Sequence, residues 1–263
     1  MKVADALRRG EERLAEAGVD TPRVDAELLV AHVLGVSRSE VYAQSDRELP
    51  EGLEPLLERR RRREPLAYVL GEWGFRGLTL KTDARALVPR PETETVVERA
   101  LALIGPIEAP RVLDVGVGSG AIALAIAAEH PGARVTGVDT SPAALELAAE
   151  NAALLGLAVE LLPGGSEVAA RGWDLVVANP PYIPHDELVA PQPELLWEPR
   201  EALLDVGLHE EIARAAVTRW LVFEVGDDQA DEVARALEEI GYADIRITSD
   251  LTARARVVEG RRS

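Results

Sequence analysis

The sequence predicts an α/β fold, a doubly wound and mainly parallel sheet, with a small all-helical N-terminal domain. From residue 111 onward, short apolar segments alternate with helical patterns, which is typical of parallel strands joined by helices. Before Tyr68 apolar residues recur at helical spacing, without strand-like alternation. Two strand-like segments close the chain and look antiparallel, which departs from a simple dinucleotide-binding fold.

The helical domain is predicted at residues 1–64. Ser37 and Glu40 have the spacing of a capping box, in which a serine and a glutamate satisfy the free N–H groups of a helix start. Pro50 is predicted to open another helix, which leads into the basic run Arg59–Arg63. We interpret this run as a solvated helix face, the usual setting for clustered charges.

Residues 65–85 change in character, since they are rich in glycine and aromatic residues and then alternate. We predict a hairpin and linker here, followed by a second, α/β domain at residues 86–263. The segments predicted in that domain are helices at 96–104, 121–129, 142–155, 210–217 and 229–240, and strands at 111–115, 134–138, 159–162, 174–178, 220–225, 243–248 and 253–258.

Composition restricts the possible functions. The 263-residue chain has 47% hydrophobic and 29% charged residues, contains no cysteine, and has four scattered histidines. Disulfides and thiolate metal sites are therefore excluded, and we expect no metal site. No uncharged apolar run is long enough to cross a membrane, and the N-terminus lacks an apolar signal core. We expect a cytoplasmic protein.

The net charge of −17 argues against broad electrostatic binding of nucleic acid, which needs positive surface. The charge is unevenly distributed. Residues 1–70 carry 12 Lys and Arg against 14 Asp and Glu, whereas residues 71–263 carry 17 against 32. The second domain therefore holds nearly all of the negative charge.

A glycine-rich turn joins strand 111–115 to helix 121–129. Glycines let the backbone turn sharply and approach a ligand, and the helix N-terminus that follows favours an anionic group. This pattern alone fits both nicotinamide dinucleotides and S-adenosylmethionine. The candidate cofactor-binding residues of the turn are Asp114, Gly116, Val117, Gly118, Ser119 and Gly120.

Asp139 ends the next strand, where its carboxylate can bind both ribose hydroxyls of either cofactor. The alternative is a helix cap before Pro142, although Ser141 or Thr140 could serve instead. Asp114 favours S-adenosylmethionine, because a carboxylate there repels a pyrophosphate and attracts a methionine amino group. The chain lacks a P-loop and a serine nucleophile elbow.

The tetrapeptide Asn179-Pro180-Pro181-Tyr182 follows the buried strand 174–178. Two prolines make the segment stiff and extended. The carbonyls of Asn179 and Pro180 can accept hydrogen bonds from a planar N–H group, on which the Tyr182 ring can stack. Asn179 is therefore a candidate cofactor-binding residue as well as a candidate substrate-binding residue. The alternative is an ordinary strand exit, since Asn and Pro are common in turns.

Together with the segment Pro89-Arg90-Pro91-Glu92-Thr93-Glu94, these motifs give a specific pattern. The chain resembles the release factor glutamine methyltransferase family over nearly its whole length, including the helical domain. The other matching segments are 65–75, 112–125, 138–151, 174–184, 198–204 and 251–258.

The resemblance implies the sheet of S-adenosylmethionine-dependent methyltransferases and transfer of a methyl group to a glutamine side-chain nitrogen in the Gly-Gly-Gln loop of peptide-chain release factors. It implies that Gly116, Gly118 and Gly120 line the methionine part of the cofactor and that Asp139 binds its ribose. Residues 179–182 would hold the glutamine. The helical domain would recognise the protein substrate, and we expect a monomer without direct contacts to nucleic acid or membrane.

Two segments depart from the family pattern. An acidic residue followed by an aromatic one is usual near the adenine, but residues 162–167 read Leu-Pro-Gly-Gly-Ser-Glu. The connection between Leu204 and Trp220 is also short and lacks a Pro-Gly-Gly turn. Adenine contacts and domain geometry are therefore expected to differ from the family pattern.

Three other functions fit parts of the pattern. A nucleic-acid base methyltransferase would use the same amide recognition, but it needs a positive channel, which the acidic second domain argues against. A catalytically inert module that docks on a release factor is the second, and a nicotinamide dehydrogenase is a distant third. No titrating base is required for methyl transfer, and the sequence shows no obvious candidate.

Overall fold

The computed structural model describes residues 1–185, 189 and 191–262. The chain divides into two compact units. The first comprises Met1–Glu72 with Gln192–Trp197, and the second comprises Trp73–Pro191 with Glu198–Ser263. The helical unit therefore extends beyond the predicted boundary at residue 64 and includes a short distant segment that the sequence pattern did not indicate.

The first unit is helical, as predicted. Its helices are α1 (Val3–Glu16), α2 (Pro22–Leu34), α3 (Arg38–Val41), α4 (Leu53–Arg61) and α5 (Leu66–Leu70). Apolar side chains on one face of α1, α2 and α4, including Leu14, Leu29 and Leu57, form its core. The prediction that Pro50 opens a helix is wrong, because α4 begins three residues later, after Gly52.

The predicted capping box is present, with the Ser37 N–H donating to Glu40 Oε2 at 2.9 Å.

The interpretation of the arginine run as a solvated face is wrong for Arg60 and Arg63. Arg60 is buried and donates from Nε to Asp25 Oδ2 at 2.6 Å. Arg63 donates from Nε to Glu194 Oε1 at 2.6 Å within the same helical unit.

The second unit contains the predicted hairpin and the alternating strands and helices. The hairpin consists of β1 (Glu72–Phe75) and β2 (Leu78–Lys81). The elements after it are α6 (Thr93–Ile104), β3 (Arg111–Val115), α7 (Ala121–Glu129), β4 (Arg134–Asp139), α8 (Pro142–Leu155), β5 (Glu160–Pro163), β6 (Trp173–Ala178), α9 (Leu208–Ala215), β7 (Thr218–Glu224), α10 (Ala230–Ile240), β8 (Ala243–Ser249) and β9 (Ala255–Arg261).

The doubly wound fold class is confirmed. Strands β3 to β9 form one sheet in the order β5-β4-β3-β6-β7-β9-β8, and β9 runs antiparallel to both of its neighbours. The chain order reverses between β3 and β6, and α/β sheets bind ligands beyond the carboxyl ends of the strands at such a point. Val115 lies in register with both Val138 and Ala178, so the loops after β3, β4 and β6 leave the sheet at the same edge.

Both faces of the sheet are covered. Val112 packs with α6, α7 and α8 on one face, while its neighbour Leu113 packs with α9 and α10 on the other. Within the described residues, no helix combines the length and apolar character of a membrane span. No group of three or more metal-ligating side chains comes together in the same part of the chain.

Candidate functional site

A cavity lies at the carboxyl edge of the sheet, at the reversal point, and it gathers most of the predicted site residues. The predicted residues that line it are Gly116, Val117, Gly118, Ser119, Asp139, Asn179 and Pro181. The predicted residues that do not line it are Asp114, Gly120, Pro180 and Tyr182. The glycine turn and the Asn-Pro-Pro-Tyr segment therefore contribute to the same cavity, but four of the expected site residues do not line it.

The glycine turn places backbone against the cavity. Gly116 has φ +78° and Gly118 has φ +53°, conformations that favour glycine. The N–H groups of Gly116 and Val117 both donate to the Val138 carbonyl, at 2.8 and 2.9 Å, which ties the turn to β4. A Cβ on Gly116 would meet no atom within 4 Å, so the space beside it is open to a ligand.

Gly120 has a different role. A Cβ on this residue would lie 2.8 Å from Leu124 Cδ1 and 3.5 Å from the Ala148 methyl group. Its absence allows α7 to pack closely, and the residue faces the protein interior instead of the cavity. Asn151 fixes the turn from the other side, because its Nδ2 donates to the carbonyls of Ser119 at 2.9 Å and Lys81 at 3.1 Å.

Asp114 lies beneath the turn and is 1% exposed. Its Oδ2 accepts a hydrogen bond from the Ala123 N–H at 3.1 Å, and its buried Oδ1 has no hydrogen-bond partner among the described residues. Burial, with a smaller contribution from the Asp139 charge, raises the pKa of Asp114 to about 7. Direct attraction of an amino group by Asp114 stays a prediction, while its bond to α7 gives it a structural role.

Asp139 is placed at the end of β4, facing the cavity. Oδ2 accepts from the Gly118 N–H at 3.0 Å and Oδ1 from the Ser141 N–H at 2.9 Å. Each carboxylate oxygen can accept a further hydrogen bond, so room remains for two hydroxyl donors. The cap of α8 is Ser141, whose Oγ accepts from the Ala144 N–H at 3.3 Å. Asp139 is therefore not needed as that helix's cap.

Asn179 is held by a chain of hydrogen bonds. Its Nδ2 donates to Thr93 Oγ1 at 3.3 Å, and Thr93 donates to Glu224 Oε2 at 2.6 Å. Asn179 Oδ1 has no hydrogen-bond partner in the described part of the chain. Because Asn179 lines the cavity, its carbonyl oxygen is left available to a ligand there.

Tyr182 joins the same hydrogen-bond network. Its hydroxyl donates to Glu224 Oε1 at 3.2 Å, and its carbonyl accepts from Gln229 Nε2 at 2.9 Å. The ring packs against Gly226, where a Cβ would come within 2.9 Å of Tyr182 Cδ2. The stacking role expected for this ring stays a prediction, because the ring does not line the cavity.

Glu224, at the end of β7, is fully buried. Burial raises its pKa to about 7, even though the bonds from Thr93 and Tyr182 and the charge of Arg256 oppose the rise. Sequence reasoning placed Glu224 inside a predicted strand and did not assign it a role. The only indication of Glu224 in the sequence is that it is a carboxylate within an otherwise apolar strand segment, where charged residues are rare unless they are paired.

A second buried glutamate shapes the wall of the cavity. Glu198 accepts from the Val88 N–H at 3.0 Å and from the Arg90 guanidinium, and it is 6% exposed. These bonds hold the segment from Val88 to Arg90, which lines the cavity. The sequence pattern identified both segments but did not reveal that they bind each other.

The atypical loop after β5 also reaches the cavity. The cavity is lined there by Gly164, Gly165 and Ser166. Two glycines and a serine therefore occupy the position at which the family usually has an acidic and an aromatic side chain. Glu167 folds back to accept from the Gly165 N–H at 2.9 Å. A Cβ on Gly164, which has φ +157°, would lie 2.8 Å from Val168 Cγ2, so this residue must remain small.

Comparison with known proteins places this site in a family. Residues 5–71 match the family model described as PrmC N-terminal domain, and residues 99–206 match the one described as Methyltransferase small domain. The hMettl16 catalytic domain, solved in complex with MAT2A 3'UTR hairpin 1, shares the fold at a TM-score of 0.58. It is 14% identical, covering 78% of this chain and 80% of that one.

Curated relatives match over nearly the whole chain. A Deinococcus radiodurans protein named release factor glutamine methyltransferase is 42% identical, with 100% of this chain and 99% of that protein covered. One of the same name from Geobacter sulfurreducens is 40% identical, with 94% and 92% covered. The chain therefore belongs to the release factor glutamine methyltransferase family.

Proposed function

We propose that this chain transfers a methyl group from S-adenosylmethionine to the side-chain amide nitrogen of the glutamine in the Gly-Gly-Gln loop of peptide-chain release factors. The observation that carries the proposal is the unpartnered Asn179 carbonyl oxygen at the wall of the cofactor cavity. An acceptor of this kind recognises an amide N–H. The named relatives support the same substrate.

The cavity has the features that the cofactor requires. The backbone of Gly116 and Gly118, which lines the cavity, would hold its methionine end, and the spare acceptor capacity of Asp139 would bind its ribose hydroxyls. The backbone of Gly164 and Gly165 would face the adenine in place of side chains. When bound, the cofactor supplies an electrophilic methyl group on a positively charged sulfur.

The protein contributes orientation to this reaction. An amide nitrogen is a weak nucleophile because its lone pair is delocalised into the carbonyl. Asn179 Oδ1 would accept one N–H of the glutamine amide, and the Pro180 carbonyl, which accepts no bond within the described chain, would accept the other. Such acceptors align the nitrogen and stabilise the positive charge that develops on it. Positioning of reactants can lower a barrier by up to about 7–11 kcal/mol.

The helical unit is proposed to recognise the protein substrate. It carries no cofactor motif, and residues 1–70 are nearly neutral beside a strongly acidic remainder. We also propose that the enzyme is a monomer, acts in the cytoplasm and serves translation termination. Nucleic acid is not a proposed substrate, because residues 71–263 carry 17 basic against 32 acidic residues.

The test uses the full chain, a release factor and S-adenosylmethionine with a labelled methyl group. Mass spectrometry of the digested release factor is expected to find the label on the glutamine of the Gly-Gly-Gln loop. A release factor with that glutamine replaced by alanine is the matched control. No label, or label on any other residue, would overturn the proposal.

Asn179 is tested in the same assay. We expect Asn179→Ala to lose turnover, because it removes the acceptor, and Asn179→Asp to lose it too, because it removes the donor to Thr93 and adds a charge. Both variants should bind S-adenosylmethionine nearly as well as the wild-type chain in calorimetry. Near-normal turnover of Asn179→Ala would reduce the tetrapeptide to a strand exit.

A further inference from the structure

Glu224 lies behind Asn179, outside the cavity, and is connected to it through a single hydroxyl. Thr93 Oγ1 lies between them, donating to Glu224 Oε2 at 2.6 Å and accepting from Asn179 Nδ2 at 3.3 Å. Thr93 is 4% exposed and Glu224 is fully buried, so water does not compete for the bond between them. Asn179 and Thr93 both line the cavity, and the bond between them is only partly buried. We propose that Glu224 is a positioning residue that fixes, through Thr93, which end of the Asn179 amide faces the substrate. This inference deepens the proposed function and rests on it.

The direction of each bond follows from proton counting. An ionised Glu224 can only accept, so the single hydroxyl hydrogen of Thr93 must point to it. The Thr93 oxygen is then an acceptor, and only the NH₂ end of the Asn179 amide can satisfy it. The carbonyl end of Asn179 is thereby turned away from Thr93 and presented as the acceptor for the substrate N–H. The Tyr182 hydroxyl likewise donates to Glu224 at 3.2 Å.

Protonation of Glu224 can reverse the direction of these hydrogen bonds. The protonated carboxyl can donate to Thr93, whose own hydrogen is then free for another acceptor. The Asn179 carbonyl can accept this hydrogen once the amide turns over, because its NH₂ end now occupies that position. The NH₂ end would then face the substrate amide, donor against donor, and recognition of the substrate N–H would be lost.

The surroundings place this switch near neutral pH. Burial raises the pKa of Glu224 to about 7. The bond from Thr93, the charge of Arg256 on β9 and the bond from Tyr182 favour the ionised form, while Glu92 opposes it. Arg256 is itself paired with Asp227, Nη2 to Oδ1 at 2.6 Å, which weakens its hold on Glu224. His209 on α9 contacts the backbone carbonyl of Glu224, at 2.8 Å.

The first arm of the test is the pH profile of kcat for methylation of a release factor by the full chain. We expect kcat of the wild-type chain to fall about tenfold per pH unit below about 7 and to level off above it. Glu224→Gln and Thr93→Val should lower kcat on the order of 10²-fold, with the Kd of S-adenosylmethionine unchanged. Thr93→Ser, which keeps the hydroxyl, should restore activity, and Glu146→Gln on the exposed face of α8 is the matched control.

The second arm needs no turnover. The side-chain amide resonances of Asn179, assigned by their loss in Asn179→Ala, should move with pH through about 7 in the wild-type chain and stay constant in Glu224→Gln. If the wild-type chain methylates no release factor, the proposed function is refuted. The resonances of Asn179 would still test whether Glu224 orients its amide. Glu224→Gln with normal kcat, or Asn179 resonances with the same pH dependence in both proteins, would overturn the inference.

Discussion

Replacing Glu224 by glutamine is expected to make the chain more stable at alkaline pH, although it should slow the enzyme. Burial raises the pKa of Glu224 from its usual 4.5 to about 7 in the folded chain. The folded chain therefore binds this proton more tightly than the unfolded chain does. The stability that the proton confers is complete below pH 4.5 and is lost as the pH rises to about 7.

The size of the effect follows from the shift. At about 1.4 kcal/mol per pKa unit, ionising Glu224 costs the folded wild-type chain about 3 kcal/mol. Glutamine has nearly the same shape and no proton to lose, so the variant avoids this cost. The difference in free energy of unfolding between Glu224→Gln and the wild-type chain should grow by about 2–3 kcal/mol from pH 5 to pH 8.

The assay is urea unfolding of both proteins over that pH range, followed by tryptophan fluorescence, since Trp220 lies on the same strand as Glu224. The matched control is the same substitution at an exposed glutamate, Glu146→Gln on α8. Parallel curves for Glu224→Gln and the wild-type chain would refute the reasoning, because they would show that Glu224 ionises as easily in the folded chain as in the unfolded one.

Three further outcomes are expected. Asp139→Ala should weaken S-adenosylmethionine binding, because each charge-assisted bond to a ribose hydroxyl is worth about 1.5–3 kcal/mol; unchanged affinity in calorimetry would remove Asp139 from the site. Asn151→Ala should lower the free energy of unfolding by about 2–4 kcal/mol in urea titrations, since it abolishes the three hydrogen bonds of a fully buried side chain, and an unaltered midpoint would contradict the structure. Glu194→Gln should weaken both of its arginine pairs and raise KM for the release factor while leaving the Kd of the cofactor unchanged; an unaltered KM would argue against substrate recognition by the helical unit.

The sequence predicted the parts of the fold that depend on local pattern. Apolar runs placed β3, α7 and α8 at the bounds that the structure has, because burial on both faces of a sheet imposes a strong pattern. Positive φ angles at Gly116, Gly118 and Gly120 explain why the turn after β3 was recognisable. Strand β9 is shifted instead, starting at Ala255 and ending at Arg261, since short terminal strands carry a weaker signal.

What the sequence could not show are contacts between distant residues. Thr93 and Glu224 are 131 positions apart, and no periodicity links them. Arg60 looked solvated because its neighbours are charged, yet Asp25 makes its burial possible. Tyr182 was assigned a stacking role from its type alone, whereas the hydrogen bond of its hydroxyl depends on the strand beside it.

The distant segment Gln192–Trp197 has a consequence for synthesis of the protein. Arg60 and Arg63 both pair with Glu194, which follows Arg63 by 131 residues. A ribosome adding about 5–20 residues per second needs on the order of 10 s to cover that distance. During that interval the N-terminal helices have emerged, and Arg60 can already pair with Asp25, but the Glu194 partner of Arg60 and Arg63 is still missing. The first domain of this chain to be translated is therefore completed only after most of the second has been made.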